Sequence, residues 1–149
     1  MNDASRLNAQ QKRLVRQSFE SLEEYSDTVV RLFYGRLFEI APQVRGLFHI
    51  DLREQSRKLQ DMLATIVNAL DRFDELQPVL VELGRRHVGY GVLPEHYDAL
   101  RLALLWALGH ALNSEFDSET KAAWDQLLRS VASTMLQATA DQSEKGIAP

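Results

Sequence analysis

The chain has no cysteine. That one absence removes disulfides, thiolate ligation of a metal and thiol catalysis together. Only 4 prolines and 7 glycines interrupt 149 residues, which leaves long segments open to helix. No stretch is long and apolar enough to span a bilayer, and the polar start Met1-Asn2-Asp3-Ala4-Ser5 lacks an apolar signal segment, so a cytoplasmic protein with no membrane partner is expected. A surplus of positive charge is missing too. With 17 basic residues against 21 acidic ones, for a net charge of -4, the chain carries no electrostatic footprint for nucleic acid. Internal repeats, strand-like alternation and a heptad seam are also lacking.

What is present fits one domain over 1–149, with 1–6 and 141–149 expected as flexible tails. Hydrophobic content of 45% and charged content of 26% are ordinary for a soluble core of this size. Leu14, Phe19 and Leu22 fall at helical steps between Leu7 and Tyr25, and Asn8 with Gln11 can form an N-terminal cap. Ser26 or Asp27 opens a second helix carrying Val30, Phe33, Tyr34, Leu37 and Phe38, until Pro42 ends it or begins a short turn. Asp51 can cap a third helix, with Gln55, Leu59, Met62 and Ile66 on one face.

Asp71 to Glu75 reads as a charged connection, and Pro78, best tolerated in a first turn, predicts the start of a helix ending at His87. Gly89 and Gly91 break that helix. Pro94 starts the next, with Tyr97, Leu100, Leu104 and Leu108 in step. Asn113 to Asp117 reads as a loop, and Ser118 with Glu119 as the cap of a last helix bearing Trp124, Leu127, Leu128, Val131 and Met135. Six or more such helices without a heptad seam favour a crossing arrangement over a regular bundle.

His87 shares a helical face with Leu80 and Leu83, just ahead of the glycine break. An imidazole on an apolar stripe suits either a hydrogen-bonded core residue or an axial ligand to haem iron. Upstream lie Leu32-Phe33-Tyr34-Gly35-Arg36-Leu37-Phe38, then Ala41-Pro42, Leu47-Phe48 and Gln55-Ser56-Arg57-Lys58-Leu59. With Ala122-Ala123-Trp124 in the last helix, this ordered set resembles the bacterial single-domain globins, related to flavohaemoglobins and to neuroglobin, over residues 7–137.

The resemblance implies an all-α globin fold, six to eight helices around a pocket for haem b. His87 matches the proximal ligand, its other ring N–H tied to the carbonyl of Leu83, and Phe48 matches the aromatic that packs flat on the haem. Leu59, Tyr90, Val92, Tyr97 and Leu100 are the further lining candidates, while Lys58 and Arg86 are either propionate partners or solvated face charges. Tyr34 and Gln55 match the distal pair of the bacterial branch, where oxygen-storage globins present a His. Taken singly they read as a core aromatic and a helix-start residue; together they supply two hydrogen-bond donors for a polar ligand. Tyr97 matches a proximal tyrosine of flavohaemoglobins whose glutamate partner aligns to Thr139 or its neighbourhood and is missing, which argues against strong peroxidase-like electron push. His49, His96 and His110 read as surface or loop residues.

Function follows as an expectation. A haem protein of this kind binds oxygen reversibly, for storage or transport, takes carbon monoxide and nitric oxide as further ligands, and detoxifies nitric oxide if an external reductase returns the electron. The chain shows no Gly-rich dinucleotide fingerprint of its own. A haem-based gas or redox sensor acting through a separate partner protein is the alternative, a haem-free helical module a third. A monomer or weak homodimer is expected.

Overall fold

A computed structural model describes residues 7–47, 52–89 and 92–147, the side chains of 52, 89 and 138–147 excepted. Six α-helices and four short 3-10 turns, with no strand among the described residues, succeed one another: α1 (Ala9–Leu22), α2 (Ser26–Ile40), α3 (Leu52–Asn68), α4 (Phe73–Gly89), α5 (Pro94–Leu112) and α6 (Ser118–Ile147). The turns are Glu23–Tyr25, Pro42–Leu47, Leu70–Arg72 and Asn113–Glu115. None of these helices is long and apolar enough to cross a membrane.

Local chemistry explains some of the starts. Asn8 Oδ1 accepts the Gln11 N–H at 2.7 Å, and Gln11 Oε1 accepts the Asn8 N–H at 2.9 Å, so two donors of α1 that lack helical partners are satisfied reciprocally. Pro94 opens α5 where its missing N–H costs nothing.

Three expectations need correcting. Pro78 does not begin a helix: α4 starts five residues earlier, at Phe73, because Phe73 and Leu76 are buried and their packing holds a further turn despite the hydrogen bond that Pro78 cannot make. The charged connection from Asp71 accordingly dissolves into a 3-10 turn and the first turn of α4. At α6, the cap is Asp117 rather than Ser118, since Asp117 Oδ1 accepts the Thr120 N–H at 2.8 Å; that bond holds the carboxyl below the usual carboxylate range. The last helix runs to Ile147. The Asp51 cap lies outside the described residues.

The helices cross with α2 packed on α5, α4 on α6, and α1 on α6. Val15, Leu37, Leu80, Leu108, Trp124 and Leu127 are fully buried where these layers meet. Each such aliphatic side chain contributes roughly 1.5–3 kcal/mol on burial. Polar ties supplement them. The Trp124 indole N–H donates to the Ser18 hydroxyl at 2.8 Å, and that hydroxyl can donate to the carbonyl of Leu14 at 2.7 Å or of Val15 at 3.0 Å. Arg101, largely buried, joins α5 to Asp125 of α6 at 2.6 Å, while Asp71 joins Lys12 and Arg16 of α1 at the surface.

Removing the Ser18 hydroxyl orphans a buried indole N–H. Ser18→Ala should therefore lose about 1–3 kcal/mol in urea unfolding, and Ser18→Ala combined with Trp124→Phe should lose less than the two single losses added together. Strict additivity would show that the bond contributes no coupling.

Candidate functional site

The last two turns of α4 assemble one side of the site. His87, half-buried, places Nδ1 2.7 Å from the carbonyl oxygen of Leu83. A carbonyl only accepts, so Nδ1 carries the proton and Nε2 is the unprotonated nitrogen of a neutral ring. Burial pulls the imidazole below its ordinary pKa, against the opposing effect of the Leu83 bond, which keeps it neutral at physiological pH. After the helix ends, the Val92 N–H donates to the His87 carbonyl at 2.9 Å and turns the chain toward α5.

From α5, the Tyr97 ring stands 6.3 Å from the His87 ring, tilted 32° to it. Its hydroxyl is buried and has no hydrogen-bond partner among the described residues. The side chain of Thr139, where the glutamate partner of flavohaemoglobins aligns, lies outside the described residues. Between α3 and α4 a mostly apolar cleft of 340 Å³ is lined by Met62, Pro78, Val79, Glu82, Leu83 and Arg86. Leu83 and Arg86 were legible as candidates; Met62, Pro78, Val79 and Glu82 were not, because a cleft wall looks like any other helical face in sequence.

Tyr34 lies in the middle of α2, 7% exposed, edge-on to Phe33 at 4.9 Å and 6.0 Å from Phe38. Desolvation pushes its phenol pKa up to about 12, so it is protonated and a donor at any physiological pH. Gln55 is half-buried on the first turn of α3, with Leu59 half-buried one turn on. Lys58 is exposed; Arg86 is exposed as well and pairs with Glu82 at 3.7 Å. Val92, Leu83 and Leu100 pack against the edge of the core. The structure thus brings His87, Leu83, Val92 and Tyr97 together directly, while Phe48, Tyr90 and His49 lie outside the described residues. His110 is exposed, as expected. His96 is not: it is buried, and its Nδ1 accepts the Leu93 N–H at 3.0 Å, closing the turn that enters α5.

The family model for globins aligns with residues 31–135 of this helical chain. The chain belongs to the globin family. A globin-like protein of Aquifex aeolicus is 28% identical over 124 residues, covering 83% of this chain and 88% of that one. Flavohemoprotein B of Dictyostelium discoideum is 26% identical across 86% of this globin, which spans only 30% of that longer protein. Among solved structures, an engineered carbene transferase made from a proposed nitric oxide dioxygenase of Rhodothermus marinus superposes with a TM-score of 0.80 at 25% identity, covering 95% of this globin and 97% of its own chain. The chain is therefore a haem-binding globin, of a family that takes small gaseous ligands such as dioxygen.

The raised pKa of Tyr34 has a readable sign. Folding favours the protonated phenol, so its contribution to stability is complete below pH 10 and is lost as pH rises from 10 toward about 12. In a pH-jump titration of phenolate absorbance, Tyr34→Phe should remove only amplitude that appears near pH 12; removal of a phenol titrating at 10 would show that Tyr34 is solvated.

Proposed function

We propose that this globin holds haem b through His87 and binds dioxygen reversibly on the side of Tyr34 and Gln55. One observation carries the reading: the Nδ1–H of His87 is committed to the Leu83 carbonyl at 2.7 Å, which directs the unprotonated Nε2 of a neutral ring to a metal. Leu59, Leu83, Val92 and Leu100 would supply apolar wall, and Leu83 also lines the cleft between α3 and α4. Tyr97 sets its ring beside the imidazole. Lys58 and Arg86, both exposed, are the residues with charge to offer the carboxylates of the group, Arg86 by exchanging its weak contact with Glu82.

Haem b would supply a ferrous iron that binds dioxygen, carbon monoxide or nitric oxide, and the electron needed to convert dioxygen and nitric oxide to nitrate. The chain's own contribution is selective stabilisation. Dioxygen draws negative charge on binding and carbon monoxide far less, so a Tyr34 hydroxyl that stays protonated donates usefully to the first and little to the second. The Gln55 amide offers a second donor. Nitric oxide oxidation to nitrate is the associated activity, with the spent electron returned by an external reductase. The flavohemoprotein relative and the Rhodothermus marinus neighbour support that extension.

His87→Ala should fail to retain haem, or retain it with an altered ferrous absorption spectrum, while His110→Ala keeps the parent spectrum. An unchanged spectrum in His87→Ala would refute the assignment. Tyr34→Phe keeps the ring and deletes the donor; stopped-flow dissociation of dioxygen should accelerate by about one to two decades for a loss of roughly 1–3 kcal/mol, with carbon monoxide nearly unaffected. If dioxygen leaves both proteins at the same rate, Tyr34 is not the donor.

A further inference from the structure

Gly84 lies one helical turn before His87 and directly follows Leu83, whose carbonyl anchors the imidazole. It is buried against α6. A Cβ placed there would meet the carbonyl oxygen of Met135 at 2.6 Å, and the Met135 Cα and carbonyl carbon at 3.1 and 3.2 Å. All three obstructing atoms are backbone, so no side-chain rotation on α6 could make room. The contrast with other glycines is sharp: around Gly35 and Gly46 nothing lies within 4 Å, and Gly109 would meet only the movable ring of Phe116 at 3.4 Å. Helices α4 and α6 thus touch main chain to main chain at Gly84, a separation that any other residue would widen.

Helix α4 has reason to need such a stop. Pro78 interrupts its hydrogen-bond ladder, and beyond that point the helix is located by what it packs on, chiefly Leu80, which is fully buried, and Gly84. One turn of regular helix then links Gly84 rigidly to His87. The ring cannot swing to compensate for a shift of the helix without giving up the Leu83 carbonyl.

We propose that Gly84 is the positioning residue for His87: its backbone contact with Met135 sets the depth at which α4 seats on α6, and so how closely the imidazole is presented to haem iron. The proposal rests on the reading of His87 as the iron ligand. The residue acts on the iron bond without touching the haem, and it makes α6 part of the machinery that tunes that bond.

The test compares the iron–histidine stretching band of the ferrous, ligand-free holoprotein by resonance Raman spectroscopy in wild type, Gly84→Ala and Ser18→Ala. Gly84→Ala should shift the band to lower frequency, a longer and weaker bond, whereas Ser18→Ala, destabilised far from α4, should leave it in place. In His87→Gly protein supplied with free imidazole, where the ligand is no longer tethered to α4, adding Gly84→Ala should produce no shift. A Gly84→Ala band at the wild-type frequency overturns the proposal, and so does a shift of equal size with untethered imidazole. Should Gly84→Ala not fold, an experimental structure of the haem-loaded wild type decides: a Cβ built at Gly84 must still fall under 3.0 Å from the Met135 carbonyl oxygen, and a distance above 3.4 Å overturns the proposal. A wild-type band that persists in His87→Ala would instead overturn the assignment of His87 as ligand.

Discussion

The hydrogen bond from the Trp124 indole to the Ser18 hydroxyl joins the first helix to the last across 106 positions of sequence, between two buried side chains. A buried N–H without a partner is costly, so the packing of α1 on α6 favours the register that satisfies it. Helix α6 also meets α5 through the pairing of Arg101 with Asp125, and α4 through the main-chain contact of Gly84 with Met135. The last helix thus touches three others, and the histidine-bearing helix meets it one turn from the histidine.

One physical effect acts on His87 and Tyr34 with opposite chemical outcomes. Desolvation holds His87 neutral, so that its ring offers an unprotonated nitrogen; desolvation also holds Tyr34 protonated, so that its phenol offers a proton. A basic nitrogen on α4 and a hydrogen-bond donor on α2 therefore persist across the physiological pH range. Desolvation is the leading cause in both, opposed at His87 by the bond to the Leu83 carbonyl. The Tyr97 ring lies beside His87, its buried hydroxyl without a hydrogen-bond partner among the described residues.

Features that depend on a few neighbouring residues were legible in the chain. The reciprocal cap of Asn8 and Gln11 needs only four consecutive residues, and the start of α5 at Pro94 needs only one. The acceptor for His87 was legible through the family resemblance, and it too is local, the carbonyl of Leu83 lying four residues back on the same helix. Pro78 misled because its local cost is real yet smaller than the gain from burying Phe73 and Leu76, a gain that depends on distant helices. His96 misled in the same direction: as an isolated polar residue near a proline it looks exposed, and only the turn that it closes with Leu93 reveals why it is inside.

The sequence by itself determined the helical class, the family, and the kinds of side chain available to the site, since composition, periodicity and ordered motifs are properties of the chain alone. Tertiary structure decided the rest. How far α4 runs, which face of α5 meets His87, and why position 84 must be glycine depend on surfaces brought together from opposite ends of the chain. The separation of two backbones is set by the smallest residue at their crossing, and a glycine that touches a distant carbonyl reads in sequence like one that touches nothing.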